Sequence, residues 1–353
     1  MTNRILIVDD SILFRKSLEK VFLEISEIVI IDSVWNGKLV LPYLTKDKKP
    51  DLITLDIEMP EMDGLETLKH IQKFNNTLIP EERIEILMIS SKTVTGGAIT
   101  MKALNLGAFD FILKPAGENP EQNLQLLRIQ VENKIELFRT IKKDSTGVEA
   151  KNPHKYSEIL DSKNKFSLIA IGISTGGPKA LMDLLPDLSK ATDLPIIIAQ
   201  HMPEGFTKSL ASMLDKVCGH TVVEGRDGMD IEKGNIYLAP GGFNLLLKKI
   251  DDKVHIAINK NIAQNKYSPS VDQLFRSVAS IYRDELISII MTGMGNDGTA
   301  GISTVKRLGG YIIAQDKESS IVWGMPGRAI ETGHVDIVLG IKDIAEHIST
   351  LCR

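Results

Sequence analysis

Three side chains in the C-terminal half have types that together can cleave an ester. Ser174 lies in Gly172-Ile173-Ser174-Thr175-Gly176, directly after the apolar run 166–171 and directly before Gly177-Pro178 and a helix-patterned stretch. A serine so placed sits on a strand-to-helix elbow. Its flanking glycines tolerate a sharp turn, and the first N–H groups of the helix can face an oxyanion. Taken alone, the five residues fit a structural or phosphate-binding turn better than they fit catalysis. A hydroxyl is a weak nucleophile near neutral pH, so catalysis requires a base and a group that orients it. His201 follows the apolar run 195–199 in Gln200-His201-Met202-Pro203, and Asp297 follows the run 286–290 in Met291-Thr292-Gly293-Met294-Gly295-Asn296-Asp297-Gly298. All three groups end predicted parallel strands and can meet at one edge of a sheet. The remaining histidines, His70, His154, His220, His255, His334 and His347, read as surface, strand or turn residues.

A second constellation occupies the N-terminal half. Asp9 and Asp10 end the first predicted strand and Asp56 the third. In a flavodoxin-like strand order these two ends are neighbours at the topological switch point, where ligands bind. Three carboxylates so close repel unless they share a cation, and hard oxygen ligands suit Mg²⁺. Lys114, at the end of the fifth strand before Pro115, supplies positive charge for a phosphoryl group. Ser90, ending the fourth strand, offers a hydroxyl. Singly, each aspartate would read as a helix N-cap or turn residue.

The elements that position these residues follow from alternating β-rich and helical patterns, which argue for parallel sheets of right-handed βαβ units. Strands are predicted at 4–8, 28–34, 52–55, 85–89 and 109–113, and strand-helix alternation resumes at 166 and continues to the C-terminus. Between them lie a helix at 123–141 and a stretch, 142–165, rich in Lys, Asp, Ser and Asn, which reads as a solvated, mobile linker. The fold class is thus α/β: a flavodoxin-like five-stranded domain over 1–122, a helix and linker over 123–165, and a second doubly wound, mainly parallel domain over 166–353. With 353 residues, 43% of them hydrophobic, the chain can bury two cores. A formal net charge of −4 without a basic face gives no reason to expect a nucleic-acid partner. The apolar runs are too short for membrane insertion, and two distant cysteines, Cys218 and Cys352, read as free thiols in a reducing, cytoplasmic compartment.

Over about residues 3–120 the chain resembles the response-regulator receiver family. The motifs are Ile7-Val8-Asp9-Asp10-Ser11, Leu55-Asp56-Ile57-Glu58-Met59-Pro60 with Asp63-Gly64, then Ser90 and Lys114-Pro115. The resemblance implies that Asp56 accepts phosphate from a histidine kinase of CheA type, with Mg²⁺ bound by Asp9, Asp10 and Asp56. It also implies that Ser90, Lys114 and Phe111 form the switch. Over about 166–345 the chain looks like the methylesterase domain of the chemotaxis response regulators known as CheB. The matching stretches include Ile171 to Pro178, Gln200 to Pro203, Ile236 to Gly242, Pro269 to Phe275, Met291 to Gly298 and Trp323 to Pro326. This likeness implies Ser174 as nucleophile, His201 as base and then acid, Asp297 as orienting carboxylate, and N–H groups near Thr175 and Met294 as oxyanion donors. The implied substrates are glutamate methyl esters on chemoreceptor cytoplasmic helices, with glutamine deamidation as a second activity and no cofactor for hydrolysis. Fusion to a receiver implies that phosphorylation relieves a restriction on access to the triad.

Two stretches depart from the family pattern: Phe243-Asn244 follows the Ala-Pro-Gly turn, and Tyr267-Ser268 stands where a His-Arg pair is typical. Both remove polar or positive groups from loops that could face substrate. Two rival readings compete. Gly293-Met294-Gly295-Asn296-Asp297-Gly298 satisfies G-x-G-x-x-G, with Asp316 at the spacing of a ribose-binding acid, but a nucleotide-binding reading leaves Ser174 and His201 idle. The other is a non-catalytic, phosphorylation-controlled binding protein, against which the intact Ser174, His201 and Asp297 argue.

Overall fold

The computed structural model describes residues 2–91, 94–144, 166–260 and 267–352. The predicted linker therefore lies mostly outside the described residues. The chain divides into two compact units, Met1–Val148 and Glu149–Arg353.

In the first unit, β1 (Asn3–Val8), β2 (Ile28–Val34), β3 (Leu52–Asp56), β4 (Glu85–Ser90) and β5 (Asp110–Leu113) form one sheet in the order β2-β1-β3-β4-β5, parallel at every pairing. This is the flavodoxin-like order expected from the sequence. The helices α1 (Ile12–Leu23), α2 (Gly64–Asn75), α3 (Val94–Asn105) and α4 (Pro120–Asp144) follow β1, β3, β4 and β5, whereas β2 is joined to β3 through a 3₁₀ helix, Gly37–Tyr43. The central strands are apolar on both faces because helices cover both, and Ile5, Leu6, Ile7, Leu52, Ile53 and Leu55 are fully buried. Helix α4 belongs to this unit: Leu127, Val131, Ile135 and Phe138 are buried, and the helix packs on α1 and β5. Ser11 and Asp63 cap α1 and α2, each accepting a backbone N–H three residues on.

The second unit is built on seven parallel strands: β6 (Leu168–Ile173), β7 (Ile196–Gln200), β8 (Thr221–Glu224), β9 (Asn235–Leu238), β12 (Leu286–Ile290), β13 (Tyr311–Gln315) and β14 (Ile337–Leu339). Their order is β14-β13-β12-β6-β7-β9-β8. Helices α5 (Gly177–Ala191), α6 (Phe206–Leu214) and α10 (Ile341–Leu351) pack together, whereas α7 (Val271–Tyr282), α8 (Thr299–Arg307) and α9 (Met325–Glu331) form a second group. Because β6 leads into the first group and β12 into the second, the topological switch falls between these adjacent strands.

Regular alternation breaks down between 221 and 260. The loop 225–234 joins β8 to β9 without a helix, and β10 (Phe243–Ile250) and β11 (Lys253–Lys260) form an antiparallel hairpin outside the main sheet. The hairpin turns through Asp251 and Asp252, with φ 48° and 63°. Two residues at positive φ match the right-handed twist of the flanking strands.

Candidate functional sites

Ser174 is the first residue beyond β6, and α5 begins three residues later. The two glycines around it act differently. Gly176, at φ 77°, makes the turn at the helix N-cap. Gly172 instead lets α7 approach, since a Cβ there would lie 2.2 Å from Val271 Cγ1. The sequence expectation that both glycines serve the turn is thus corrected at Gly172.

His201 follows β7, and its Nδ1 lies 3.0 Å from Ser174 Oγ while Nε2 lies 2.8 Å from Asp297 Oδ2. The side chain of His201 is only 11% exposed and that of Asp297 only 4%. The carboxylate is gripped at the N-terminus of α7. Oδ2 accepts Val271 N–H at 2.7 Å, and Oδ1 accepts Ser270 Oγ–H at 3.2 Å, Asp272 N–H at 3.0 Å and Gly298 N–H at 3.1 Å. Burial alone would raise the pKa of Asp297, but the His201 contact and these backbone donors outweigh it and hold the group below its ordinary value. An ionised Asp297 can only accept, so neutral His201 carries its proton on Nε2 and turns the bare Nδ1 to Ser174. That is the tautomer a general base needs. The imidazole presents Nδ1 to the hydroxyl, whereas a chymotrypsin-type triad presents Nε2.

The loop after β12 closes against the elbow. A Cβ on Gly293 would come within 2.7 Å of Ser174 Cβ and 2.5 Å of Met325 Sδ, so the loop that carries Met294 closes against Ser174. Ser174 N–H donates to Thr292 O at 3.0 Å, and Thr292 Oγ1–H donates to Thr175 O at 3.0 Å. Among the described residues the N–H groups of Thr175 and Met294 have no acceptor. Two such donors flanking a serine can accept charge developing on a carbonyl oxygen.

The sequence singles out Tyr267 and Asn244 only as departures from the family pattern, and their contacts emerge from the fold. Tyr267 stacks on the His201 ring, with centroids 4.6 Å apart and planes 4° from parallel. Asn244 is buried and its Oδ1 accepts Ser270 N–H at 2.9 Å, which steadies the α7 cap beneath Asp297. The two departures from the family pattern therefore touch the triad or its support. Asp272, raised in pKa by burial, accepts Gly298 and Gly301 N–H groups at 3.0 and 2.6 Å and pins α8 to α7. The G-x-G-x-x-G stretch is consumed by this packing. Asp316 closes its own turn, accepting Ser319 N–H at 3.0 Å and Ser319 Oγ–H at 2.6 Å.

In the first unit, Asp9, Asp10 and Asp56 offer oxygens that all lie within 4.8 Å of one another. Asp9 and Asp56 are buried, Asp10 is exposed, and Lys114 Nζ lies 2.8 Å from both Asp9 Oδ2 and Asp56 Oδ2. Burial and the Asp9 charge push the Asp56 carboxyl up to about 7 despite Lys114, and burial raises Asp9 too. A set of three hard oxygen donors with more negative charge than one ammonium can neutralise fits a divalent cation such as Mg²⁺. Arg15, missed by sequence reading, donates to the carbonyls of Asp9 and Asp10 at 2.6 and 3.2 Å. Ser90 is buried, donating to Ser91 O at 3.2 Å and accepting from Thr100 Oγ1 at 2.8 Å; Phe111 is buried, opposite Met88 across β4 and β5. A hollow of about 480 Å³ beside Asp10 is lined by Met59, Pro60 and Ile99, among others.

Fold and site together define the class of the chain: a hydrolase-like parallel α/β unit with a Ser-His-Asp constellation, fused to a flavodoxin-like unit with an acidic cluster suited to a cation. Residues 169–348 match the CheB methylesterase family model and residues 5–125 the response regulator receiver domain model. The chain is 39% identical over 350 residues to a protein-glutamate methylesterase/protein-glutamine glutaminase of Thermotoga maritima, covering 99% of this chain and 98% of that one. A Bacillus subtilis protein of the same name is 35% identical over 359 residues, covering 99% and 98%. The crystal structure of the Thermotoga maritima CheB methylesterase catalytic domain superposes with a TM-score of 0.51 at 44% identity, covering 53% of this chain and 98% of that one. The chain belongs to the CheB methylesterase family and carries a response regulator receiver domain. The nucleotide-binding and non-catalytic readings are not favoured.

Proposed function

We propose that the chain is a phosphorylation-activated protein-glutamate methylesterase that also deamidates glutamine, acting on cytoplasmic helices of chemoreceptors. The observation that carries the reading is the Ser174-His201-Asp297 relay, with contacts of 3.0 and 2.8 Å. Ser174 Oγ attacks the ester carbonyl carbon and its proton passes to His201 Nδ1. Negative charge collects on the former carbonyl oxygen, facing the N–H groups of Thr175 and Met294. Collapse expels methoxide, which takes the proton from Nδ1 and leaves as methanol, forming a glutamyl ester on Ser174. Water then attacks with His201 as base, Ser174 recovers its proton, and glutamate is released. With glutamine the leaving group is ammonia. Asp297 stays ionised throughout and stabilises the transient imidazolium.

Asp56 is the proposed phosphoacceptor, with a histidine kinase of CheA type as donor in the cell. Asp9, Asp10 and Asp56 would hold Mg²⁺, which when bound neutralises charge on the incoming phosphoryl group. Lys114 contacts both buried aspartates and is placed to pair with the phosphate oxygens. Ser90 and Phe111 are the proposed switch residues. The proposed domain limits are 1–122, 123–165 and 166–353, and the compartment is the cytoplasm; no described helix is long and apolar enough to cross a membrane.

The test is methanol release from methylated chemoreceptor, with and without a small phosphodonor and Mg²⁺. Release is expected, faster with phosphodonor, and Ser174→Ala should lower it by about 10³-fold or more while leaving phosphorylation at Asp56 intact. Undiminished release by that variant would remove Ser174 from the mechanism.

A further inference from the structure

Gln200 ends β7 one residue before His201 and is buried, with 2% of its surface exposed. Its amide nitrogen donates to Ser174 O at 2.8 Å and to His201 O at 3.0 Å. Both acceptors are carbonyls, so the orientation of the amide is forced: the flipped form would set an oxygen against two oxygens. Both N–H bonds of the side chain are thereby used. Oε1 is left without a hydrogen-bond partner and rests against Gly177, where a Cβ would lie only 1.8 Å from it. Gly177 is glycine because the Gln200 amide occupies the space of a side chain.

The Ser174 carbonyl also accepts Gly177 N–H at 2.9 Å, so it has two donors. That carbonyl and the Thr175 N–H belong to one planar trans peptide and point in opposite directions. Fixing the oxygen fixes the N–H. Two donors on the carbonyl also polarise the peptide and strengthen the N–H as a donor. From this geometry we infer that Gln200 is a positioning residue: it aims and polarises the Thr175 N–H of the oxyanion site, and through the His201 carbonyl it ties that peptide to the base. The inference rests on the proposed esterase reading and deepens it, because it assigns transition-state stabilisation to a side chain that touches neither substrate nor triad side chains.

The consequence is a particular kinetic signature. An oxyanion donor acts on the tetrahedral state and little on bound ester, so loss of its aim lowers kcat and leaves KM in place. In the full-length protein, Gln200→Met keeps volume and removes both donors. It should lower kcat for methanol release by about tenfold to a hundredfold, the scale of a misplacement near 1 Å. Affinity for a peptidyl trifluoromethyl ketone, which forms a tetrahedral adduct on serine, should fall by the same factor as kcat/KM. The midpoint of the pH-rate profile should not move, because the relay from His201 to Asp297 is intact. Gln200→Glu replaces a donor by an acceptor facing Ser174 O and should be at least as damaging. Should Gln200→Met fail to fold, the Glu variant, isosteric with the native side chain, carries the kcat and inhibitor-affinity arms of the test, while its added carboxyl excludes it from the pH arm.

Unchanged kcat in a folded variant would overturn the inference, as would a loss appearing wholly in KM or with a shifted pH profile. Failure of the parent reading looks different: the unmodified protein would release no methanol, or Ser174→Ala would release it normally.

Discussion

The two units place acidic chemistry at the same kind of address, the C-terminal ends of adjacent parallel strands, and treat a buried aspartate in opposite ways. Asp297 is surrounded by donors from His201, Ser270, Val271, Asp272 and Gly298, and its pKa is held down. Asp56 shares one ammonium with Asp9, and burial pushes its pKa up to about 7. A carboxylate satisfied by fixed backbone dipoles keeps its charge and can orient an imidazole throughout the proposed cycle. A carboxylate left short of positive charge is instead a site whose state depends on what arrives, whether cation, proton or phosphoryl group.

The largest expected effect tests the half with the fixed charge. Asp297→Asn preserves shape but cannot accept from all five donors, and its amide N–H₂ would face Val271 N–H or His201. The imidazole then turns its protonated nitrogen toward Ser174 and ceases to be a base, so kcat for methanol release should fall by about 10⁴-fold. Burying an unpaired donor at the α7 N-terminus should also cost about 1–3 kcal/mol of stability, read by denaturant titration. Activity within tenfold of the unsubstituted protein would mean that the α7 N-terminus, and not the carboxylate, orients His201.

The responsive half predicts a pH and metal dependence of the first unit. The ordinary pKa of an aspartate here is 3.8, and Asp56 stands at about 7 in the fold, with Asp9 raised in the same direction. A raised pKa means that the folded state binds more protons than the unfolded chain between these values. The contribution of Asp56 to stability is therefore greatest at the acid end of that window and falls as pH rises from about 4 to 7. Asp297 has the opposite sign: its contribution is present above 3.8 and is lost only on further acidification. Thermal melts of the full chain should show a first-unit transition that weakens from pH 5 to pH 8, and Asp56→Asn should flatten that trend. Mg²⁺ should raise the same transition at pH 8 and do so much less at pH 5, where a proton competes for the site. Equal stabilisation by Mg²⁺ at both pH values would place the cation elsewhere.

Much of this was legible in sequence where the signal is local. An apolar run closed by Asp, Ser or His identifies a strand and the group at its end, which is how Asp56, Ser90, Ser174 and His201 fall at strand ends. The strand order of the first unit followed from the same alternation. What was not legible depends on residues meeting across long separations. Asn244, Ser270 and Asp297 form one hydrogen-bonded chain only because β10 of the hairpin packs on α7 and α7 packs on β12. Gly172 reads as a turn glycine until α7 is seen to fill its side-chain space. The hairpin itself was missed because its strands carry no helix between them, and its turn is Asp-Asp, where Asn-Gly or Asp-Gly is the stronger signal.

The smallest predicted effect concerns Tyr267, which departs from the family pattern and lies flat on His201. An aromatic face parallel to an imidazole restrains ring rotation and would favour the imidazolium of the proposed mechanism, a cation–π contribution of about 0.5–1 kcal/mol. The phenol also fills the space above Gly295, where a Cβ would lie 2.8 Å from its oxygen, so the ring is wedged between the base and the loop carrying Met294. Tyr267→Phe keeps the face and should leave kcat nearly unchanged. Tyr267→Leu keeps apolar bulk but removes the π-face, and kcat should drop about two- to fivefold. Tyr267→His, a planar ring of the type seen in the family pattern, should recover most of that loss. If Phe proves as damaging as Leu, the hydroxyl and not the ring face is what matters at this position. Because the relay is held from below by the fixed donors around Asp297, loss of the ring should change the rate modestly without uncoupling His201 from its carboxylate.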